Sequence, residues 1–475
     1  MEKIKIFTLR LFAFAFIPLL LVMLASCNED DPSPSTTNEN IYVNDWIKEN
    51  MDFWYLWNSG LPSAPNKNQK PDIFFKSLLS SQDRFSWIQD NYQELLDALK
   101  GVSKEAGYEF ALYRENESNN NVIAQVLYVK HDSPADKAGL VRGDIISHIN
   151  GDQITVSNYR DLLGEIREDH TIKFKSVDPV AATMGPEKTL SLSPVQYSEN
   201  PNYMHKVITV SDRKIGYFVY NLFAGGPDAE SIVYDDQMDQ IFSEFKTAGI
   251  TDLVLDLRFN SGGTETSANN LASLIGIGIN DTKIFARREY NEGVEQEILN
   301  DPDMGSDFLT SEFRTKNQNI GNQLTNGRVY VLTSSRTASA SELVINALKP
   351  FMDVFIIGDV TYGKNVGSIS LYEENDPKNQ WGMQPIVVKV FNSENQSDYS
   401  NGFAPNILDS DNSLFIYPLG DDREALLRHA IEHITGVSTS GRVAVPGERK
   451  DLIGHSLDAK RSSYNLVIDQ NFMRR

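Results

Sequence analysis

Two short motifs constrain the fold of this chain more than any other feature. The first is Thr337-Ala-Ser-Ala-Ser-Glu and the second is Gly363-Lys364. An apolar strand leads into the first motif, a helical stretch (342–348) follows it, and a second apolar strand (354–357) ends at the glycine turn that carries the lysine. This order can bring the Ser339 hydroxyl and the lysine amine together at one edge of a sheet, as Ser/Lys hydrolysis requires.

Each of these residues also has an ordinary structural interpretation. Ser339-x-x-Glu342 before an apolar run is a capping box, in which the hydroxyl only satisfies a backbone N–H of the first helical turn. Most lysines are solvated surface groups, so Lys364 alone indicates little. Both interpretations stay open for either residue by itself. The pair in its strand–helix–strand context favours the chemical one.

The length and composition predict a multidomain globular protein. A chain of 475 residues corresponds to about three domains, and 40% hydrophobic residues supply enough material for packed cores. The formal net charge is −21, and no basic stripe interrupts the acidic balance. We therefore expect no nucleic-acid partner, and we attribute the acidity to solubility.

The first residues have the pattern of an export signal. Basic residues precede an apolar run at 11–25, which is shorter than the roughly 20 residues of a membrane-spanning helix. The run ends at Leu24-Ala-Ser-Cys27, which resembles the bacterial lipobox. The resemblance implies a signal peptide at 1–26 and lipidation of Cys27, which would hold the protein at a membrane. An ordinary cleaved signal with an incidental cysteine is the alternative.

The residues after the signal predict a tether. Cys27 is the only cysteine, so the processed chain has no further thiol for a disulfide, a metal site or catalysis. Acidic residues and then a Pro/Ser/Thr/Asn stretch follow it, which predicts a flexible segment at 27–40. Acidic residues directly after the lipidated cysteine resemble the surface-export signals of Bacteroidetes lipoproteins. We expect an exported bacterial lipoprotein of the outer membrane, on its periplasmic or cell-surface face.

Residues 41–100 are helical in pattern and crowded with aromatic residues. Such a set is more often a small core than a ligand cage. We predict a small N-terminal helical domain here, without assigned chemistry.

Residues 101–196 resemble a PDZ domain. The segment from Ser133 to Ile146 (Ser-Pro-Ala-x-x-Ala-Gly-Leu-x-x-Gly-Asp-x-Ile) carries the resemblance. By that resemblance a carboxylate-binding loop precedes it, whose N–H groups would bind the C-terminus of a peptide added to the sheet edge. The loop residues are Gly107, Tyr108, Glu109 and Phe110. An ordinary strand start, or a PDZ that only spaces its neighbours, is the alternative.

Between residues 197 and 443 apolar strands alternate with amphipathic helices, which predicts an α/β layered core. The predicted elements, besides those around Ser339 and Lys364, are strands at 215–221, 253–257 and 385–391 and helices at 228–247, 266–274 and 421–434. The remaining residues, 444–475, are mixed and polar, and we assign them no role.

Four motifs in this order together resemble the C-terminal processing peptidases, also called tail-specific serine proteases. They are the PDZ segment, Asp256-Leu-Arg-x-Asn-x-Gly-Gly263, Thr337-Ala-Ser-Ala-Ser-Glu342 and Gly363-Lys364. The resemblance covers most of residues 101–436. It implies a crotonase/ClpP-like α/β catalytic core downstream of the PDZ domain, with Ser339 as the nucleophile and Lys364 as the base.

The chemistry of these residue types agrees with that assignment. A serine hydroxyl is a poor nucleophile until a base removes its proton. Lysine can be that base only when neutral, so its pKa must fall well below about 10.4, and burial lowers it by penalising the ammonium form.

The oxyanion of the reaction needs backbone donors. Ala340 follows the nucleophile at a helix N-terminus and is the first candidate. The resemblance favours Gly263 as the second, with Gly262 as the weaker choice. A plain strand-to-helix turn would explain both glycines without a ligand.

The sequence departs from the family at the third catalytic position. Many members carry Gln or Glu four residues after the lysine, and here that position is Ser368. A serine can accept a hydrogen bond from Lys364 over a shorter reach, so Ser368 is the candidate third member. Ser341 could also be taken for the nucleophile, but its distance from Lys364 along the chain does not match the family spacing.

Three other interpretations compete with the Ser/Lys assignment. His429-Ala-Ile-Glu432-His433 matches an inverted zinc-protease pattern, with Glu448 as a further ligand, although the same residues fit an amphipathic closing helix. The chain could also be a PDZ-containing peptide-binding lipoprotein with a degenerate core. A Ser/His/Asp triad lacks its Gly-x-Ser-x-Gly elbow. We favour a serine endopeptidase acting on unfolded or C-terminally exposed polypeptides, without a metal or organic cofactor.

Overall fold

The computed structural model describes residues 35–228, 231–437, 451–456 and 466–468. The predicted signal peptide, Cys27 and Glu448 lie outside the described residues. Within the described ranges, no helix combines the length and the apolar character that crossing a bilayer requires.

The N-terminal unit is a helical cluster joined to the rest of the chain by a strand. Its elements are α1 (Ser35–Trp54), a 3-10 turn (Asn58–Gly60), α2 (Pro71–Leu78), β1 (Trp87–Gln89) and α3 (Tyr92–Leu99). Helix α1 begins inside the segment predicted as a tether. The buried core of this unit contains Ile47, Phe74 and Phe75 together with Met383 from much later in the chain. The unit therefore packs onto the third unit and shares a core with it.

The second unit has the mixed sheet and short helices expected of the PDZ resemblance. Its elements are β2 (Val102–Glu105), β3 (Tyr108–Arg114), β4 (Val122–Val129), α4 (Pro134–Lys137), β5 (Ile145–Ile149), β6 (Asp152–Gln153), α5 (Tyr159–Glu165), β7 (His170–Asp178), β8 (Thr183–Leu192) and β9 (Val195–Ser198). The sheet runs β3-β4-β5-β7-β8, with β6 beside β5, while β2 pairs with β9. The Ser133 side chain accepts the N–H of Asp136 and so caps α4.

The third unit is the α/β core. Its first elements are β10 (Asn202–Val210), β11 (Arg213–Tyr220), α6 (Val233–Ala248), β12 (Asp252–Asp256), β13 (Gly263–Thr264), α7 (Glu265–Ile275), β14 (Ile284–Tyr290), α8 (Glu292–Asn300) and β15 (Thr310–Glu312). Later come β16 (Arg328–Thr333), α9 (Ala340–Leu348), β17 (Asp353–Gly358), β18 (Val366–Ser368), β19 (Leu371–Tyr372), β20 (Gly382–Gln384), β21 (Ile386–Phe391), β22 (Ile407–Leu408) and α10 (Ala425–Thr435). Short 3-10 turns lie at Gly305–Leu309, Gly321–Gln323 and Thr325–Gly327.

Two of the predicted helices begin later than expected. Helix α6 begins at Val233 instead of 228, after a turn in which Ser231 N–H donates to the Asp228 carbonyl. Helix α10 begins at Ala425 because the Glu424 side chain accepts the N–H of Leu427 and caps it there. The other predicted core elements lie where the alternation placed them.

Helices α7 and α9 lie in the main core, between two sheets. The first sheet has the order β10-β11-β12-β16-β17-β22, and the second has the order β13, a strand near the end of the chain, then β18-β21-β14-β15. One continuous apolar core contains Phe218 of β11, Leu271 of α7, Val344 of α9 and Val388 of β21. On the other face of the first sheet, α10 packs with the PDZ unit. Layered packing of this kind buries α9 completely.

The parallel pairing of β12, β16 and β17 determines where the functional loops meet. Leu253 is opposite Val329, and Val329 is opposite Val354. Because the three strands run in the same direction, their carboxyl ends lie at the same edge of the sheet. The loops that carry the Gly262-Gly263 turn, Ser339 and Lys364 follow those ends.

Two strands near the end of the chain pair outside the core sequence. They are β23 (Leu452–His455), which adds to β3 of the PDZ unit, and β24 (Leu466–Val467), which lies between β13 and β18. The sequence assigned no role to 444–475 because short strands paired to distant partners leave no local periodicity to detect.

Candidate active site

The loops after β16 and β17 meet around one buried carboxylate, that of Glu342 in the first turn of α9. Its Oε2 accepts the backbone N–H of Ser339 and of Lys364, each at 2.8 Å. The two backbone nitrogens are therefore separated by no more than twice that distance. Oε1 accepts the N–H of Gly363 at 2.7 Å and the hydroxyl of Thr361 at 2.6 Å. The structure thus brings the predicted nucleophile and base together through Glu342, a residue that sequence reasoning treated only as a cap.

Ser339 has the geometry of a nucleophile more than that of a cap. Its backbone φ of +60° and ψ of −111° are values that residues other than glycine rarely adopt. Glu342 accepts the Ser339 N–H, as in a capping box. The Ser339 side chain is placed as that box requires, near the Glu342 N–H, but its buried Oγ makes no hydrogen bond of normal geometry among the described residues. The capping arrangement is therefore present, but it leaves the Ser339 hydroxyl without a strong hydrogen bond.

Lys364 lies in the environment that a neutral lysine needs. Its side chain has no exposed surface, and burial lowers the pKa of its amine to about 7, while the nearby charges of Asp83 and Glu342 raise it in part. The Phe85 ring centroid lies 5.3 Å from Nζ and covers the amine. Near neutral pH a substantial share of Lys364 is therefore the free base.

The segment beside Lys364 comes from the N-terminal helical unit, to which sequence reasoning gave no chemistry. The guanidinium of Arg84 donates to the carbonyl oxygens of Gly363 and Ser400, at 3.1 and 3.0 Å. These bonds hold the 83–85 segment against the turn that carries Lys364. No pattern within residues 41–100 could have identified this contact, because it depends on tertiary packing alone.

We expect Phe85→Ala to shift the pH dependence of activity toward alkaline pH. Loss of the ring lets water reach the Lys364 ammonium, which raises its pKa above about 7, so a higher pH is needed to form the base. The midpoint of the acid limb of kcat/KM should rise by about one pH unit. Phe85→Leu keeps an apolar cover and should retain the original midpoint. Identical profiles for the alanine variant and the parent would contradict this role.

Asn260 holds the glycine turn against the nucleophile loop. Its side-chain amide donates to the Tyr220 carbonyl at 3.0 Å, and its Oδ1 accepts the Gly262 N–H at 2.9 Å. The Asn260 carbonyl accepts the Ala338 N–H at 3.3 Å and the Ser341 hydroxyl at 3.1 Å. One buried residue thus fixes both the turn and the residues flanking Ser339. It also explains Ser341, whose hydroxyl supports the loop.

The bonding of the turn distinguishes between its two glycines. The Gly262 N–H is already bonded to Asn260, which weighs against its prediction as an oxyanion donor. The Phe223 carbonyl accepts the Thr264 N–H, and the Phe223 N–H donates to the Gly262 carbonyl. Successive backbone groups of a strand point to opposite sides, so the N–H of Gly263 points away from Phe223. Gly263 stays the candidate donor, together with Ala340, whose N–H begins helix α9 and has no intrahelical partner.

We expect Gly263→Ala to remove activity and to destabilise the core. The φ of Gly263 is +134°, and an added Cβ would lie 2.1 Å from the Phe223 carbonyl oxygen, so the turn must move. A loss of at least about 2 kcal/mol in the free energy of unfolding should accompany the loss of turnover. Gly164→Ala is the matched control: it lies in helix α5, where an added Cβ meets open space. A fully active, equally stable Gly263→Ala would contradict the assignment.

Ser368 is buried, and its hydroxyl donates to Oε1 of Gln384 at 2.6 Å. Gln384 in turn donates to the Ser370 hydroxyl. The structure therefore places a buried glutamine beside the position where the family carries Gln or Glu, although it comes from β20. Sequence spacing could not identify Gln384, since it is distant from Lys364 along the chain.

The predicted carboxylate loop opens β3, and several of its groups already have partners within the chain. Tyr108 Oη lies 3.0 Å from His170 Nε2. The buried Glu109 carboxylate lies 3.5 Å from Lys130 and accepts the Ser456 hydroxyl at 2.6 Å. The Gly107 carbonyl accepts the Lys130 N–H. The loop thus contains a buried acid, which would repel a bound carboxylate.

The histidines of the zinc-like pattern have separate partners. His429 Nε2 lies 2.8 Å from Asp409, and His433 Nδ1 lies 3.0 Å from the Tyr330 hydroxyl. In the part of the chain that the structure describes, no group of three or more potential metal-ligating side chains occurs. The geometry does not favour the metal-hydrolase alternative.

The Asp256–Arg258 part of the glycine motif is structural. The fully buried Arg258 guanidinium lies 2.8 Å from Asp256, 2.5 Å from Glu424 and 3.1 Å from Asp411. These ion pairs join the end of β12 to the start of α10. They hold the edge of the sheet from which the glycine turn projects.

Comparison with known proteins agrees with this architecture. Residues 214–408 match the model of peptidase family S41, residues 42–87 match the peptidase S41 N-terminal domain, and residues 125–175 match a PDZ domain. Together, the fold and these matches define a serine-type peptidase with a PDZ domain ahead of its catalytic core. The chain belongs to peptidase family S41. The predicted family, α/β core with PDZ domain and enzyme class are confirmed.

Individual relatives are distant. The chloroplastic carboxyl-terminal-processing peptidase 1 of Arabidopsis thaliana is 24% identical over 361 residues, covering 73% of this chain and 68% of that protein. A carboxy-terminal-processing protease of Bartonella bacilliformis is 27% identical, covering 64% of this chain and 62% of that protein. A solved structure from Bacteroides fragilis, described as a candidate S41 protease, has a TM-score of 0.68 at 29% identity and covers 82% of this chain and 97% of that one.

Proposed function

We propose that this peptidase cleaves unfolded polypeptides by a Ser/Lys acyl-enzyme mechanism, with Ser339 as the nucleophile and Lys364 as the general base. The observation that carries the proposal is the Glu342 carboxylate, which holds the backbones of both residues at one buried position. The lowered pKa of Lys364 supports it, because a base is most effective when its pKa lies near the working pH.

The groups of the site supply each step of acyl transfer. Lys364 Nζ takes the proton of the Ser339 hydroxyl while Oγ bonds to the scissile carbonyl carbon, and the N–H groups of Gly263 and Ala340 stabilise the oxyanion. As the intermediate collapses, the C–N bond breaks and the Lys364 ammonium returns its proton to the leaving amine. Water then attacks the acyl-enzyme with Lys364 again as base, which releases the acid and restores the hydroxyl.

Ser368 and its partner Gln384 are proposed to position Lys364 from β18 and β20. They would take the part of the third catalytic residue.

A substrate strand is proposed to add to the edge of β3 in the PDZ domain. Three carboxylates face Lys130 there: it lies 2.7, 3.5 and 2.8 Å from Glu105, Glu109 and Glu199. This excess of negative charge favours an extended strand over a free terminal carboxylate.

Incubation with β-casein, an unfolded protein, followed by mass spectrometry tests the activity. We expect fragments with several internal ends from the parent and none from Ser339→Ala. One peptide substrate prepared with a free and an amidated C-terminus tests end recognition: similar rates fit strand binding, whereas a strong preference for the acid would establish a C-terminal preference. A folded parent that yields no fragments would favour a non-catalytic peptide-binding lipoprotein.

We propose in addition that lipidated Cys27 anchors the protein in the outer membrane. The support lies in the lipobox-like sequence and the acidic residues that follow it. Cys27→Ala should move the protein from the membrane fraction to the soluble fraction, and protease treatment of intact cells should separate a cell-surface from a periplasmic location. Unchanged membrane retention of Cys27→Ala would contradict lipid anchoring.

A further inference from the structure

The last described strands pair with both sites proposed for substrate. Strand β23 lies antiparallel to β3, with Leu452 opposite Tyr113 and His455 opposite Ala111. The tail therefore runs toward the loop that opens β3. There Ser456 Oγ accepts the Phe110 N–H at 2.9 Å. A hydroxyl of the chain itself thus fills the position that the family resemblance assigned to a peptide's carboxylate.

Strand β24 lies at the proposed oxyanion donor. It is parallel to both β13 and β18, with Leu466 opposite Gly263 and Val467 opposite Ser368. The Gly263 N–H points away from Phe223, which is the side on which β24 lies. The tail therefore covers the edge along which a substrate backbone would have to approach the Gly263 donor.

Ile468 anchors this second contact. Its N–H donates to the Ser368 carbonyl at 3.1 Å, and its side chain is only 1% exposed. It packs so closely on Gly367 that a Cβ there would lie 3.0 Å from Ile468 Cγ1. The pocket is apolar and also contains Val388.

The catalytic groups are closed to solvent in this arrangement. Ser339, Ala340 and Lys364 each have no exposed surface. A polypeptide cannot reach them unless a covering segment leaves, and β24 is the segment paired on both sides at this edge.

We infer that the two described tail segments, 451–456 and 466–468, are built-in competitors of substrate: they pair in cis with the PDZ edge through β23 and with the catalytic edge through β24, and substrate must displace them. This inference rests on the proposed function, since it concerns regulation of the same site. An intramolecular strand has an effective concentration on the order of millimolar, so it competes well with dilute substrate. Both strands are short, so few ladder bonds hold the tail in place.

A chain ending at residue 450 tests the inference. We expect its kcat/KM for β-casein to exceed that of the full chain by about tenfold. A synthetic peptide of residues 451–475 should then inhibit the shortened enzyme. A folded, shortened enzyme whose kcat/KM equals or falls below that of the full chain would overturn the inference.

Point variants keep the test decisive where the shortened chain does not fold. Ile468→Asp places a charge in the apolar pocket and should release β24, which raises kcat/KM, whereas a strand needed only for folding would cause activity to fall. Val437→Asp is the control, since Val437 is 50% exposed and outside the tail. Unchanged or lower activity of folded Ile468→Asp would overturn the inference.

Hydrogen exchange separates this inference from the proposed function. In Ser339→Ala, amide protection of 452–456 and 466–468 should fall when β-casein is added, because substrate displaces the tail without being cleaved. If β-casein binds and amide protection of the tail is unchanged, the inference about the tail is overturned, while the proposed catalytic function is not. If no form of the chain cleaves β-casein but the tail is displaced, the proposed catalysis fails while the competition stands.

Discussion

Ser339→Ala is expected to lower kcat for peptide-bond hydrolysis by at least about 10³-fold, because removal of the hydroxyl removes the atom that forms the acyl-enzyme. The variant should fold normally. Ser339 Oγ is buried and makes no hydrogen bond of normal geometry among the described residues, so its loss removes a weak capping contact with the Glu342 N–H. Cleavage of β-casein and thermal unfolding, measured on the same preparation, check both parts.

Two serine controls make this result specific. Ser335→Ala changes an exposed serine of the same loop and should retain full activity. Ser341→Ala tests the rival nucleophile: its hydroxyl donates to the Asn260 carbonyl, so we expect a stability loss of about 1 kcal/mol and a much smaller loss of turnover than in Ser339→Ala. Inactive Ser341→Ala alongside active Ser339→Ala would transfer the nucleophile to position 341.

Lys364→Met is expected to lower kcat by about 10²–10⁴-fold, because a thioether of similar length fills the same space but cannot take a proton. In the parent, the acid limb of kcat/KM should have its midpoint near pH 7, since only the neutral amine is the base and burial lowers its pKa to about 7. Activity therefore rises with pH through that value. Lys378→Met, at an exposed lysine, should retain both rate and profile.

The same residue makes stability depend on pH. The folded-state pKa of Lys364 is about 7, below its usual value of 10.5, so between these values the unfolded chain binds the extra proton. The contribution of Lys364 to the free energy of unfolding therefore rises with pH across that window. Lys364→Met removes this dependence and should be more stable than the parent at pH 7, by a margin that narrows toward pH 10.5. A margin that is constant with pH would contradict a buried neutral lysine.

The local sequence pattern was sufficient to predict the architecture of the α/β core. The apolar runs that became β12, β16 and β17 are each followed by a helix or a glycine turn, and this alternation requires parallel strands whose carboxyl ends share an edge. The sequence alone therefore predicts that Ser339 and Lys364 belong to one site. The resemblance to a known family then narrowed the chemistry that such a pair performs.

The supporting residues could not be predicted in the same way, for two physical reasons. Glu342 was visible only as a cap, because its bonds to Gly363 and Lys364 join segments that meet only in the folded chain. Phe85 and Gln384 come from other elements and contact the site through packing. The tail strands are short and paired to distant partners, so hydrophobic periodicity is absent from them.

A covalent fluorophosphonate probe, whose adduct is located by mass spectrometry, tests directly whether Lys364 activates Ser339. We expect a single adduct at Ser339 in the parent, a labelling rate that rises with pH through a midpoint near 7, and loss of that labelling in Lys364→Met. An adduct on another residue, or labelling of Ser339 at an undiminished rate in Lys364→Met, would contradict activation of Ser339 by Lys364.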